Sequence, residues 1–137
     1  MKKKLLSLLL IVLMLVFGMQ TEAFASENSE LYASISSITS TMSINDSILD
    51  YSVDVITRGA DYVDTVHIDA ELRTVDGRVI KPYSEDLEAS NRVFTFSKRR
   101  AVSESGTYFL HFTIYCYKDG VLQDEVTKDT KTATYVR

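Results

Sequence analysis

Beyond residue 30, apolar and polar side chains alternate in segment after segment, and no stretch keeps a helical period for long. The pattern predicts an all-β fold. Leu49, Tyr51, Val53 and Val55 share one parity while Asp50, Ser52 and Asp54 share the other, as in a strand with one face in a core and one in water. Residues 62–74 repeat the design, with Val66, Ile68, Ala70 and Leu72 opposite His67, Asp69, Glu71 and Arg73. In the longest run, 107–117, Tyr108, Leu110, Phe112, Ile114 and Cys116 form the more apolar face. A Ser/Thr-rich first strand over residues 32–44 changes parity between Ile35 and Ile38, which predicts a bulge or a break.

Turn residues punctuate these runs at Asn45-Asp46-Ser47, Arg58-Gly59-Ala60-Asp61, Asp76-Gly77 and Asp119-Gly120. At the last of these, a three-residue loop, Lys118-Asp119-Gly120, would set Cys116 opposite Leu122 and Phe112 opposite Val126. A two-residue loop would set Ile114 against Glu125, so burial of apolar pairs selects the bulged hairpin. The same reasoning at Val75-Asp76-Gly77 pairs Leu72 with Ile80, and Pro82 should end or edge the returning strand. Residues 84–90 read as an acidic turn with one helical turn over 85–88. A strand over 93–96 and an exposed connection over 97–106 follow. The threonine-rich segment 126–136 should be an outer or edge strand, able to pair with another copy.

Seven or so short strands with regular turns predict an immunoglobulin-like or Greek-key β-sandwich. Gly106-Thr107-Tyr108-Phe109-Leu110 resembles the tyrosine corner that opens strand F of immunoglobulin-like domains, with Leu110 at the place of the second cysteine. The chain has no tryptophan and one cysteine, which excludes an antibody-type domain and leaves the architecture. The order of signals over 32–136 also resembles small exported Firmicutes proteins that carry a domain of unknown function. The Ser/Thr-rich first strand, Val63-Asp64-Thr65-Val66-His67-Ile68, the Gly-x-Tyr strand and the closing Thr-rich strand carry that resemblance. It implies an exported β-domain of unassigned activity and supplies no functional residue.

The chain opens with Met1-Lys2-Lys3-Lys4, an apolar run over 5–17 broken only by Ser7, and Ala23-Phe24-Ala25, a small-x-small cleavage site. Residues 1–25 therefore read as a cleavable signal peptide, 26–31 as a loose leader and 32–137 as one β-sandwich domain. The apolar run falls short of the roughly 20 residues a membrane span needs, so the expected product is secreted, with no membrane insertion after cleavage. The lysine-rich start and the lack of disulfides suit a Gram-positive bacterium. Cleavage removes Lys2, Lys3, Lys4 and Glu22 and leaves the chain more acidic than the formal −4 of the whole sequence. Such a surface argues against nucleic acid and anionic lipid as partners. The basic trio Lys98-Arg99-Arg100 reads as a solvated turn.

With Cys116 alone, no internal disulfide is available, and its parity makes it a buried small hydrophobe. His67 and His111, the only histidines, lie on outward parity without a nucleophile signature, so they read as surface residues. Asp61 and Asp64 offer hard oxygens for a calcium ion, but no EF-hand spacing accompanies them, and neither a metal nor a cofactor is expected.

The outward face of residues 107–117 carries Phe109, His111, Thr113, Tyr115 and Tyr117. Phe109, Tyr115 and Tyr117 are the candidate ligand contacts, since a tyrosine ring is apolar while its hydroxyl is polar. A strand, a loop or the N-terminal segment covering this row is the commoner arrangement for such a patch. The leading expectation is a secreted, non-enzymatic module that binds an unidentified protein or glycan. The alternatives are an exported antagonistic toxin and a small hydrolase, the latter requiring a histidine that meets a carboxylate in a concavity.

Overall fold

Each alternating run becomes a strand whose apolar parity turns toward a shared interior. The computed structural model describes residues 32–137, and the expected signal peptide, its expected cleavage site and segment 26–31 lie outside the described residues. Nine strands are present among the described residues: β1 (Ile35–Asn45), β2 (Ile48–Thr57), β3 (Thr65–Thr74), β4 (Val79–Leu87), β5 (Ala89–Ser90), β6 (Val93–Ala101), β7 (Gly106–Lys118), β8 (Val121–Asp129) and β9 (Ala133–Tyr135). One sheet has the order β1-β2-β6-β5 and the other β4-β3-β7-β8, with β9 also on β7. Every pairing is antiparallel. The chain changes sheet after β2, β4 and β6, which is the Greek-key order of an immunoglobulin-like sandwich.

The core lies between the sheets. Leu49, Tyr51, Val53 and Val55 of β2 and Phe94 and Phe96 of β6 meet Val66, Ile68 and Leu72 of β3 and Leu110, Phe112 and Ile114 of β7. Each such side chain contributes about 1.5–3 kcal/mol when fully buried, and no disulfide helps. Tyr51 brings a polar hydroxyl to this depth. Its hydroxyl lies 2.5 Å from that of Tyr83, and burial, then Tyr83, hold its pKa above the ordinary tyrosine value.

The tyrosine corner is formed. The buried Tyr108 donates its hydroxyl proton to the Glu104 carbonyl at 2.6 Å, across the connection that carries the chain from β6 into β7. Leu110, two residues on, is fully buried. The parity change expected near Ile35 is a register shift between Ile35 and Ser37.

The hairpin registers differ from expectation. Asp119 and Gly120, both at positive φ, form a two-residue loop that pairs Lys118 with Val121 and Tyr117 with Leu122. A bulge at Gln123 then shifts the ladder. Cys116 faces Asp124 instead of Leu122, Phe112 faces Lys128 instead of Val126, and Val126 lies buried against Ile114. The bulge brings an apolar pair into register without lengthening the turn. At Val75-Asp76-Gly77 the three-residue loop stands, closed by Thr74 N–H on the Arg78 carbonyl at 3.0 Å, with Gly77 at φ 93°. A bulge at Ile80 then places Lys81, not Ile80, opposite Leu72.

Residues 84–87 continue β4 as extended edge strand, with no helical turn, because Asp86, Ser84 and Pro82 pair in register with His67, Asp69 and Glu71. Pro82 edges the strand and does not end it. The Lys98-Arg99-Arg100 trio belongs to β6, not to a turn: Lys98 reaches Glu85 at 2.8 Å and Arg99 reaches Asp50 at 2.8 Å. The exposed connection shrinks to residues 102–105. The terminal segment divides into β8 and β9, which pair end to end along β7.

Candidate functional site: the outer face of the β4-β3-β7-β8 sheet

Side chains that point away from the core on β4, β3, β7 and β8 line up in transverse rows set by the ladder. One row runs Asp86, His67, Tyr115, Glu125; the next Ser84, Asp69, Thr113, Thr127; the third Pro82, Glu71, His111, Asp129. None of these side chains is buried, and no described strand covers the rows.

Backbone hydrogen bonding tightens particular pairs. Thr74 N–H donates to the Arg78 carbonyl, just before β4, and Val75 N–H to the Thr107 carbonyl of β7, so even positions of β3 turn their backbone groups to β4 and odd positions to β7. The odd residues His67 and Asp69 therefore meet β4 in non-hydrogen-bonded pairs, where Cα atoms approach to about 4.5 Å. His67 Nδ1 lies 2.7 Å from Asp86 Oδ1, and its Nε2 lies 3.1 Å from Ser84 Oγ and 3.3 Å from Asp69 Oδ1. Ser84 Oγ donates to Asp69 Oδ1 at 2.6 Å. The bond to Asp86 raises the imidazole above its ordinary pKa against the opposing effect of partial burial. The Ser84 hydroxyl holds Asp69 below the usual carboxylate value, aided by His67. On the far side of β7, His111 Nδ1 meets Asp129 at 2.6 Å, and Thr113 meets Thr127 at 2.8 Å.

His67 and His111 lie on the outward face, as their parity implies, and each has a carboxylate partner there. The parity of His67 and Asp69 was legible, but Ser84 and Asp86 enter only through the β3–β4 register. Ser84, His67 and Asp86 have the connectivity of a nucleophile, base and orienting acid. One feature works against that use: the Ser84 hydroxyl proton is directed at Asp69. Beside the cluster, a shallow depression of about 450 Å³ is lined by Asp69, Glu71, Arg73, Ser84, His111 and Thr113, among others.

All three candidate contacts are half-buried on this face. Tyr115 and Tyr117 lie together, with the His67 ring 6.2 Å from that of Tyr115 and Leu122 exposed opposite Tyr117. Phe109 stands apart, six residues or about 20 Å along the strand, opposite Arg73. Partial desolvation, then the charge of Asp69, raises the Tyr115 phenol.

The other sequence candidates fall elsewhere. Asp64 braces the β7–β8 turn: its Oδ2 accepts the Asp119 N–H at 2.7 Å, which holds the carboxyl low, and Lys118 stands 3.7 Å away. Among the described residues no group of three or more His, Cys, Asp or Glu is arranged to hold a metal ion. Cys116 is fully buried, and burial, then the Asp124 charge, pushes its thiol up to about 12. Asp124 accepts the Ala33 and Ser34 N–H groups at 3.1 and 2.8 Å, tying the chain before β1 to β8.

No family model matches the chain, and no curated protein matches it. Among solved structures it is similar to a crystal structure from Bacteroides fragilis described as a candidate beta-galactosidase, at 16% identity and a TM-score of 0.42. That alignment covers 67% of this chain and 15% of the Bacteroides chain.

Proposed function

We propose that this chain is an exported, non-enzymatic binding module that takes a protein or glycan on the outer face of the β4-β3-β7-β8 sheet, with Tyr115 and Tyr117 as principal contacts. The observation that carries this reading is the open row of Tyr115 and Tyr117 beside a hydrogen-bonded set of His67, Asp69, Ser84 and Asp86. The rings supply apolar area, and the fixed carboxylates and hydroxyls supply direction at low entropic cost. Phe109 adds a second contact about 20 Å away for an extended ligand. Export rests on the leader over residues 1–25 and on the resemblance to exported Firmicutes β-domains. The test is binding of the purified protein to surface polymers and surface proteins of the producing cells, with and without Tyr115→Ala and Tyr117→Ala together. Loss of binding by the double variant supports the site, and undiminished binding removes it.

Hydrolysis is the second reading, and the Ser84–His67–Asp86 connectivity is what favours it. A fluorophosphonate that labels Ser84 in the wild type and not in His67→Gln would establish that reading. The Ser84–Asp69 bond favours the opposite result, no labelling in either protein.

A further inference from the structure

The sandwich has four sheet edges, and three carry features that discourage another strand from pairing there. β4 contains Pro82 among Lys81, Glu85 and Asp86; β8 contains the Gln123 bulge and four charged residues; β5 is two residues long. β1 differs. Its eleven residues, Ile35–Asn45, include no charge, no proline and no glycine, and among the described residues only β2 pairs with it. Its bulge lies at the Ile35–Ser37 end, and from Ser37 to Asn45 the ladder with β2 is regular; a long, neutral edge of this kind is a template for strand addition.

The hairpin fixes which backbone groups face outward. Asp46 and Ser47, both at positive φ, form a two-residue loop, so the flanking pair Asn45 and Ile48 exchanges hydrogen bonds. Alternation then gives Ser43, Thr41, Thr39 and Ser37 to β2 and turns the N–H and C=O groups of Ile44, Met42, Ser40 and Ile38 to the edge away from β2. The side chains of Ile38, Met42 and Ile44 lie on the core side, half-buried and packed against the core cluster. A strand added beside them would extend that core.

We infer that β1 is a self-association edge, pairing antiparallel with β1 of a second copy about a two-fold axis at Thr41. This register places Ile38 opposite Ile44 of the second copy and Ser40 opposite Met42 of the second copy, with Thr41 facing its own counterpart on the outer surface. Each outward-turned residue then exchanges hydrogen bonds with its partner. A second copy is the occupant because the edge is self-complementary under that axis, with an apolar residue at each end and hydroxyls at the centre, and because an uncharged strand lets two acidic molecules approach at that point. The contact is isologous and closes as a dimer. It replaces the terminal strands β8 and β9 as the edge for self-pairing.

The test uses the protein purified as cells produce it, followed by sedimentation over a wide concentration range. A reversible monomer–dimer equilibrium is expected. Ser40→Pro removes an N–H that the β1–β2 ladder does not use, so it should keep the wild-type circular dichroism and raise the dimer dissociation constant about tenfold or more. If Ser40→Pro disturbs the fold, charge variants decide: Thr41→Lys and Thr41→Glu should each be monomeric and should form a dimer when mixed. On oxidation Thr41→Cys should give a covalent dimer and Thr39→Cys should not, with the buried Cys116 silent in both. A wild type monomeric at every concentration, a dimer indifferent to the Thr41 charges, or equal cross-linking at Thr39 and Thr41 would each overturn the inference.

Discussion

Tyr108 holds Glu104 through a single bond: the phenolic hydroxyl at the start of β7 donates to the Glu104 carbonyl at 2.6 Å. The ring is buried and the carbonyl lies in the connection from β6, so the bond fixes where the chain enters the second sheet. Tyr108→Phe keeps the ring and removes the donor. It should lower unfolding free energy by about 1–2 kcal/mol, read as a shift in the urea midpoint at constant slope.

The bulge at Gln123 makes a paired prediction. Ile114 and Val126 face one another in the core, while Leu122 is 45% exposed. Ile114→Ala should cost about 2–5 kcal/mol, and Leu122→Ala should stay within about 0.5 kcal/mol. A register with Leu122 opposite Cys116 would bring the two costs close together.

The His67 cluster should make stability depend on pH in two windows. The imidazole pKa is raised above its ordinary 6.5, chiefly by Asp86, so its contribution is complete below that value and is lost as pH rises through the raised one. The Asp69 carboxyl is lowered from its ordinary 3.8, chiefly by Ser84, so its contribution is present above that value and is lost as pH falls. Stability owed to the cluster therefore peaks between the carboxylate and imidazole ranges. Urea midpoints at pH 5.5 and pH 8.5 should differ more for the wild type than for His67→Gln.

Cys116 should not react in the native state. Its side chain has no solvent exposure and its thiol titrates near 12, so thiolate is scarce at pH 8. Labelling by a maleimide should follow unfolding, with rapid stoichiometric labelling in urea and none over the same interval without it.

The strands were legible because one-sided burial writes a period of two into β2, β3 and β7. The corner was legible in Gly106-Thr107-Tyr108. What stayed hidden came from backbone shifts that leave no mark in composition. The bulges at Ile80 and Gln123 move one strand by a residue, and a reading that assigned the offset to the turns paired Leu72 with Ile80 and Cys116 with Leu122. The charged run 84–87 looked like a turn because an edge strand needs only one apolar contact per two residues, and Leu87 is the one residue of that run buried in the core. The site suffered most from this. Tyr115 and Tyr117 were visible from parity alone, whereas Ser84 and Asp86 reach His67 only through the ladder of a strand the sequence did not announce.

The outer tyrosines should be dispensable for folding. Tyr115 and Tyr117 lie on the solvent side of β7, so their joint replacement by alanine should leave the near-ultraviolet signature of the core in place, with a stability loss of about 1–2 kcal/mol from lost cross-strand contacts.

The most direct measurement is therefore equilibrium binding of the purified protein to the surface of its producing cells, comparing the wild type with the folded Tyr115→Ala/Tyr117→Ala variant. A saturable wild-type isotherm weakened at least about tenfold in the variant is the expected result. Equal binding by both, or none by the wild type, contradicts the assignment of this face.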